Sequence, residues 1–144
     1  MKNEPFVIER TYNAPVERVW GAITDKNEMK HWYFDLAEFR TEVGFEFQFL
    51  AGDDNKQFLH LCKVTEVVPN QKLTYSWRYD GHEGNSFVTW ELFDEGDKTR
   101  LKLTHAGLDT FPAIADFAKE NFVAGWTHIL SKSLKEYLEK EYAQ

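Results

Sequence analysis

Cysteine, long apolar runs and clustered basic residues are all scarce in this 144-residue chain, and each scarcity excludes a class of protein. The single cysteine, Cys62, cannot form an internal disulfide and suits a reducing compartment. No apolar run approaches the roughly 20 residues that span a bilayer, and the start, Met1–Pro5, has no apolar signal core. The net charge is −7, and no basic block is present to bind phosphate backbones. We therefore expect a cytoplasmic protein that binds neither nucleic acid nor a membrane.

Sequence motifs of cofactor, metal and hydrolase chemistry are also missing. Neither of the glycine-rich phosphate loops, G-x-G-x-x-G and G-x-x-x-x-G-K, occurs, and there is no G-x-S-x-G elbow. The five histidines include no H-x-x-x-H pair, and one cysteine cannot build a thiolate cluster. We expect no cofactor, no metal site and no dedicated catalytic residues.

Aromatic side chains, in contrast, are abundant. Twelve Phe, six Tyr and five Trp make up 16% of the chain, which is more than a small core needs. Surplus rings either line a cavity or lie at an interface, and an aromatic-rich core is the simpler alternative. The length fits one domain over residues 1–144 that can bury a core of its own.

Hydrophobic periodicity divides the chain into a strand, short helices, a run of strands and a long helix. Residues 6–12 alternate as a strand, Ala14-Pro15 ends it, and the spacing from Val16 to Ile23 is helical. A second short helix is expected over residues 26–31. From residue 34 to residue 105, alternating segments joined by short polar turns predict an antiparallel meander.

The last segment returns to helical spacing. Its apolar residues fall at i, i+4, i+7, i+8, i+12, i+15 and i+16 between Phe122 and Leu138, which predicts an amphipathic helix of about five turns. Gly125 costs such a helix about 1 kcal/mol relative to Ala. A small residue beside Trp126 either brings the helix close to the sheet or makes room for a ligand, and we favour close packing.

Four segments, in this order along the chain, resemble the activator of heat-shock protein 90 ATPase homologue family. They are Phe6–Thr24 with its Ala14-Pro15 and Val19-Trp20 pairs, Val64–Trp77, Thr99–Gly107, and Gly125-Trp126 leading into Leu130 and Leu134. That family belongs to the START and birch-pollen-allergen (SRPBCC) superfamily of helix-grip folds. The resemblance implies an α+β helix-grip (START-like) fold, in which a curved antiparallel sheet wraps around a long C-terminal helix and two short helices follow the first strand. It also implies a cavity between sheet and helix, and a link to the stress response through a heat-shock ATPase.

If the C-terminal helix covers the concave face of the sheet, strand parity selects the side chains that reach the cavity. Rings with few polar partners are typical of a small-molecule site, although each ring could equally be plain core. The predicted lining consists of Phe47, Phe49, His60, Trp77, Tyr79, Trp90, Leu103, His105, Phe122, Trp126 and Ile129. Trp32, at the junction of the short helices with the sheet, either gates the cavity or plugs the sheet edge.

Five side chains are candidates for polar or reactive chemistry. His60 and Cys62 share one face of a strand, but a separation of roughly 7 Å is too long for the hydrogen bond that would create a thiolate nucleophile. His105 is either a general acid or base, or it ties the end of its strand to the next loop, which we favour. Arg10 and Glu66 are assigned to inward faces, where each needs a partner: the other residue or, for Arg10, a ligand carboxylate.

We predict that the chain binds a small hydrophobic or aromatic molecule between the sheet and the C-terminal helix. Two alternatives remain open. The first is a co-chaperone-like module that stimulates a heat-shock ATPase through its outer surface. The second is a cyclase- or hydrolase-type enzyme that uses His60 or His105 as a base. Ring-rich strands favour a container over a surface adaptor, and the sequence leaves the oligomeric state undetermined.

Replacing Trp126 with Ala tests its placement at the cavity. We expect the ligand-induced change in tryptophan fluorescence to disappear and the free energy of unfolding to fall by about 3–5 kcal/mol, as for a buried Trp. Ligand titration and urea denaturation measure the two effects. Unchanged binding together with unchanged stability would show that Trp126 lies elsewhere.

Overall fold

A computed structural model describes residues 5–33, 38–52, 57–111 and 119–142. Residues 34–37 and 53–56 of the predicted meander lie outside these residues. The strands are β1 (Phe6–Tyr12), β2 (Glu46–Gly52), β3 (Gln57–Val68), β4 (Lys72–Tyr79), β5 (Ser86–Asp94) and β6 (Thr99–Ala106). The helices are α1 (Val16–Thr24), α2 (Lys26–Met29), a 3-10 turn (Leu108–Thr110), α3 (Lys119–His128), a π-helical turn (Ile129–Ser133) and α4 (Leu134–Tyr142).

The described strands form one antiparallel sheet in the order β1-β6-β5-β4-β3-β2. The predicted meander runs from β2 to β6, and β1 pairs along β6 with Phe6 opposite His105 and Tyr12 opposite Thr99. Alternation buries one face: in β6 every second residue from Thr99 to His105 is buried. This buried face, called the inner face below, lies against the C-terminal helix. The predicted α+β architecture is confirmed.

The C-terminal helix runs from α3 through the π-helical turn into α4. Its buried side chains are Trp126, Leu130, Leu134 and Leu138, four residues apart each time. In an ideal α-helix four residues turn through about 400°, so a spacing of four drifts by about 40° per step. The π-helical turn holds more residues per turn, which offsets this drift and keeps all four side chains facing the sheet.

The π-helical turn frees a backbone carbonyl that β1 then satisfies. The N–H of Leu134 donates to the carbonyl of Ile129, five residues back. The hydroxyl of Tyr12 donates to the carbonyl of Leu130 at 2.7 Å, and this bond is buried. Because a buried carbonyl without a partner is costly, Tyr12 fixes the position of the π-helical turn on the sheet.

The short helices are tied to α4 by a mixed polar and aromatic cluster. Arg18 of α1 forms an ion pair with Glu28 of α2, and its guanidinium lies 5.0 Å from the ring centroid of Tyr137. The hydroxyl of Tyr137 donates to Glu28 at 3.0 Å, and His31 stacks on the Tyr137 ring. The cluster closes one end of the fold, away from Trp126.

A β-bulge in β3 corrects the predicted position of Glu66. The register between β3 and β4 shifts between Val64 and Glu66, which leaves Thr65 as an extra residue. One extra residue inverts the alternation, so Glu66 lies on the outer face instead of sharing the inner face with Cys62. There its carboxylate is exposed and pairs with Lys72 at 3.2 Å.

Gly125 does not serve the close packing that the sequence suggested. It lies on the exposed side of α3, and a Cβ built there has no described atom within 4 Å. The helix approaches the sheet through Trp126, the next residue, which is 3% exposed. No helix among the described residues has the length and apolar character needed to cross a membrane.

Two glycine substitutions test this description of the backbone. Gly125→Ala should raise the free energy of unfolding by about 0.5–1 kcal/mol, because alanine has the higher helix propensity and its Cβ would contact no described atom within 4 Å. Gly107→Ala, the matched control, should lower it by at least about 1–2 kcal/mol. Gly107 has φ +88°, and its Cβ would lie 2.9 Å from the carbonyl oxygen of Asn85.

Urea denaturation of both variants measures the two changes. A destabilising Gly125→Ala would mean that α3 does pack closely at that position.

Candidate ligand site between the sheet and the long helix

Aromatic side chains from five strands, the C-terminal helix and two turns meet between the inner face and α3. We call them the ring cluster. Each member lies within 6.5 Å, centroid to centroid, of at least one other member. The cluster consists of Tyr33, Phe49, His60, Trp77, Tyr79, Trp90, His105, Phe111, Phe122 and Trp126.

Trp126 is the point where the helix meets the sheet. Its indole lies 5.6 Å from that of Trp77 and 5.7 Å from that of Trp90, with both angles far from parallel. All three are 5% exposed or less. The pair with Trp90 is edge-to-face at 85°, which brings the positive edge of one ring to the negative face of another and adds to the stabilisation from burial.

A directed chain of hydrogen bonds runs from Trp126 through His105 to the backbone of β4. The indole N–H of Trp126 donates to Nδ1 of His105 at 3.0 Å, and Nε2 of His105 lies 2.8 Å from Oγ of Ser86. The Ser86 hydroxyl donates to the carbonyl of Trp77 at 2.8 Å. Because indole can only donate, Nδ1 carries the lone pair and Nε2–H donates to Ser86. His105 is therefore held as a neutral imidazole.

This arrangement supports a structural role for His105. The residue is 0% exposed, and burial lowers its pKa to about 3. A proton on Nδ1 would displace the bond from Trp126. A general base near neutral pH needs a pKa near the operating pH and access to a substrate proton, so the acid–base alternative loses support.

His60 lies at the other side of the ring cluster. Its ring stacks on Phe49 at 4.6 Å and meets the edges of Trp77 and Tyr79. Nδ1 lies 2.9 Å from the carbonyl of Phe58, so this nitrogen faces its own strand and carries the hydrogen. Burial lowers the pKa of His60 to about 4. Cys62 is buried, and burial raises the pKa of its thiol, which keeps it protonated.

A second polar chain links three rings. The indole N–H of Trp90 donates to the hydroxyl of Tyr75 at 3.1 Å, and that hydroxyl lies 2.8 Å from the hydroxyl of Tyr33. Burial raises the pKa of both tyrosines, so both stay neutral. Tyr75 shares the inner face of β4 with Trp77 and Tyr79, whereas Tyr33 lies in a turn, where no periodicity could have marked it.

The structure brings most of the predicted lining residues together. Phe49, His60, Trp77, Tyr79, Trp90, His105, Phe122 and Trp126 are all members of the ring cluster. Phe47 lies beside it, with its ring 5.1 Å from that of Tyr75. Leu103 pairs with Trp90 across β5 and β6 and is 0% exposed, and Ile129 packs partly buried against the core.

Arg10 and Glu66 do not meet, which overturns their proposed pairing. Arg10 lies on β1, an edge strand, and three strands separate β1 from β3, which carries Glu66. Its Nε donates to the hydroxyl of Ser131 at 2.8 Å, in the π-helical turn, and the residue is exposed. Neither side chain contacts the ring cluster, because one lies at the sheet edge and the other on the outer face.

Trp32 is an anchored core residue in this structure. Its indole N–H donates to the carbonyl of Ala22 at 3.0 Å, and the side chain is 5% exposed. Its ring meets the edge of Trp90 at 5.9 Å. Of the two alternatives for Trp32, this geometry favours the plug over the gate.

The side chains of the ring cluster are apolar or, like His60 and His105, neutral. Among the described residues, no buried side-chain nitrogen or oxygen lacks a partner, and no three His, Cys, Asp or Glu side chains gather around a common point. Two surface depressions, about 420 Å³ on the outer face of β2–β4 and about 640 Å³ along α3, are lined by residues outside the ring cluster.

Comparison with known families identifies the fold. The family model of the Activator of Hsp90 ATPase homolog 1-like proteins matches residues 13–139. The chain belongs to this family. The predicted resemblance and the helix-grip fold are thereby confirmed. No curated protein matches the chain.

Several solved structures share the architecture of this family member. Mll3558 from Rhizobium loti is 26% identical, with a TM-score of 0.81 over 94% of this chain and 96% of that chain. CalU16 from Micromonospora echinospora is 29% identical, with a TM-score of 0.69 over 92% of this chain and 73% of that chain. DynU16, a protein in the dynemicin biosynthetic locus, is 23% identical, with a TM-score of 0.76 over 94% of this chain and 47% of that chain.

The two buried histidines make stability depend on pH. Unfolded, both have the ordinary pKa of 6.5, whereas burial lowers the folded values to about 4 for His60 and about 3 for His105. Their contribution is complete above pH 6.5. Below it the unfolded chain takes up two protons that the folded chain excludes, so the free energy of unfolding falls by up to about 2.7 kcal/mol per pH unit until about pH 4.

Urea denaturation between pH 7 and pH 4.5 measures this slope. His105→Gln should remove about half of the histidine contribution to the slope. An identical slope for wild type and His105→Gln would contradict the buried, neutral state of His105.

Proposed function

We propose that this chain binds a small, neutral hydrophobic or aromatic molecule between the inner face of the sheet and α3. The observation that carries the proposal is the ring cluster, in which Trp126 from the helix meets Trp77 and Trp90 from the sheet. An aromatic-lined space with a few fixed polar groups is the usual composition of a small-molecule site. The proposal takes residues 1–144 as one domain that acts in the cytoplasm.

The polarity of the site supports a neutral ligand. His60 and His105 are uncharged at neutral pH because burial holds both pKa values at about 4 or below. No charged side chain belongs to the ring cluster, so a buried charge on the ligand would have no counterpart there and would be costly. The hydroxyls of Tyr33, Tyr75 and Tyr79 offer neutral hydrogen bonds.

Proteins of the same fold also support binding of a small molecule. DynU16 lies in a biosynthetic locus for a small molecule, dynemicin, and shares the fold with this chain. The family description raises a second candidate, activation of an Hsp90-type ATPase. That activity would use the outer surface, where Leu50 is 63% exposed and Phe87 44% exposed.

Binding of 2-naphthol, a neutral aromatic probe, tests the proposal through the indole N–H signals in a ¹⁵N-correlated NMR spectrum. The five tryptophans give separate reporters. We expect the signals of Trp77, Trp90 and Trp126 to shift during the titration, because their rings belong to the ring cluster. The signal of Trp20, on α1 and outside the cluster, should stay unchanged and serves as the control.

Native mass spectrometry of freshly purified protein complements the titration, since a discrete extra mass of a few hundred daltons would reveal a bound cellular molecule. A bare chain whose indole signals all ignore 2-naphthol would count against the proposal. The ATPase alternative would then be examined by adding the chain to a bacterial Hsp90-type ATPase and measuring ATP turnover.

A further inference from the structure

Tyr33 fills a position in the proposed site as a ligand would. Its ring lies 6.2 Å from that of Trp126 at an interplanar angle of 19°, which is a stacked arrangement. The edge of the same ring meets Trp90 at 6.1 Å and 88°, and Phe49 lies 6.2 Å away. A flat ring stacked on one tryptophan and met edge-on by another has the contacts expected of a bound aromatic molecule.

The hydroxyl of Tyr33 is also held as a ligand hydroxyl would be. It lies 2.8 Å from the hydroxyl of Tyr75, which already accepts from the indole N–H of Trp90 at 3.1 Å. Tyr75 and Trp90 are each 1% exposed and sit on paired central strands. The hydroxyl of Tyr75, to which the Tyr33 hydroxyl is hydrogen-bonded, is therefore held in place by the central strands of the sheet.

Tyr33 itself is carried by a turn rather than by the sheet or by α3. It lies in the turn after α2, is partly exposed, and is held at its backbone by a bond from its N–H to the carbonyl of Met29 at 2.7 Å. Phe49, Tyr75, Trp90 and Trp126, which lie around its ring, are buried residues of strands or of α3. Trp32, 5.2 Å away in the same turn, is held separately by the bond from its indole N–H to the carbonyl of Ala22. A rotation of the Tyr33 side chain would leave the walls of this space in place.

We infer that Tyr33 is a built-in surrogate for the ligand, and that the ligand is a neutral phenol that displaces it. This inference rests on the proposed function. The phenol ring stacks on Trp126 in place of the Tyr33 ring, and its hydroxyl takes over the hydrogen bond to Tyr75. A site whose buried hydroxyl needs a partner rejects an analogue without one, so Tyr75 determines specificity for the phenolic hydroxyl.

The surrogate also sets the affinity. A ligand binds only the fraction of molecules in which the Tyr33 ring has moved out, and the apparent dissociation constant rises as that fraction falls. Removing the Tyr33 side chain removes this competition. Removing only its hydroxyl weakens the surrogate, because the ring remains while its hydrogen bond to Tyr75 is lost.

The first measurement follows the Tyr33 ring itself in the full-length chain. Tyrosines labelled with 3-fluorotyrosine give ¹⁹F signals, and Tyr33→Phe assigns the one from Tyr33. On saturation with 2-naphthol, this signal should move to the position of a solvent-exposed tyrosine. The Tyr137 signal should not change, because that residue packs against Arg18 and Glu28.

The second measurement compares affinities. Tyr33→Ala should bind p-cresol, which is the tyrosine side chain as a free molecule, at least tenfold more tightly than the wild type. Tyr33→Phe should fall between them, and Tyr137→Ala, the matched control, should bind as the wild type does. Toluene, which lacks the hydroxyl, should bind Tyr33→Ala at least tenfold more weakly than p-cresol, and Tyr75→Phe should reduce this preference.

The outcomes separate this inference from the proposed function. If 2-naphthol shifts the indole signals while the Tyr33 fluorine signal stays fixed, the ligand binds without displacing Tyr33 and the inference is wrong. Equal affinity of p-cresol for wild type and Tyr33→Ala overturns it as well. If 2-naphthol shifts no indole signal, the proposed function itself fails. Near-ultraviolet circular dichroism checks that each variant is folded. If Tyr33→Ala does not fold, the comparison of Tyr33→Phe with the wild type still tests the inference.

Discussion

The hydrogen bond from the Trp126 indole to His105 joins the two layers of this fold. It continues through Ser86 to the carbonyl of Trp77, so one side chain of the helix is linked to the backbone of a central strand. The bond exists only while His105 is neutral, and His105 is neutral because it is buried. Burial of the rings and the orientation of the helix therefore depend on each other.

Burial of the ring cluster also limits the kind of molecule that could bind there. Each buried polar group of the ring cluster is already directed at a partner of its own, as with Trp77 donating to Tyr79 and Trp90 to Tyr75. On the proposed function, a ligand must therefore be neutral and must replace an existing contact rather than add a charge. Tyr33 offers such a contact, since its hydroxyl bonds to the same sheet-borne group that a phenol would use.

Two irregularities adapt regular elements to this interior. The π-helical turn brings side chains spaced by four residues onto one line facing the sheet. It also frees the carbonyl of Leu130, to which the hydroxyl of Tyr12 donates a hydrogen bond. The bulge at Thr65 turns Glu66 outward to Lys72, which keeps a carboxylate away from the rings. Both devices serve an apolar interface that a perfect helix and a perfect strand would not match.

The sequence by itself determined the order of strands and helices, the inner face of β4 to β6 and the helical stripe through Trp126, because these depend on local periodicity. It placed Trp77, Trp90 and His105 correctly for the same reason. Tertiary structure alone decided the rest. The bulge moved Glu66, three strands separate it from Arg10, and Tyr33 packs against both Trp90 and Trp126. All three features depend on contacts between residues far apart in the chain, which periodicity does not encode.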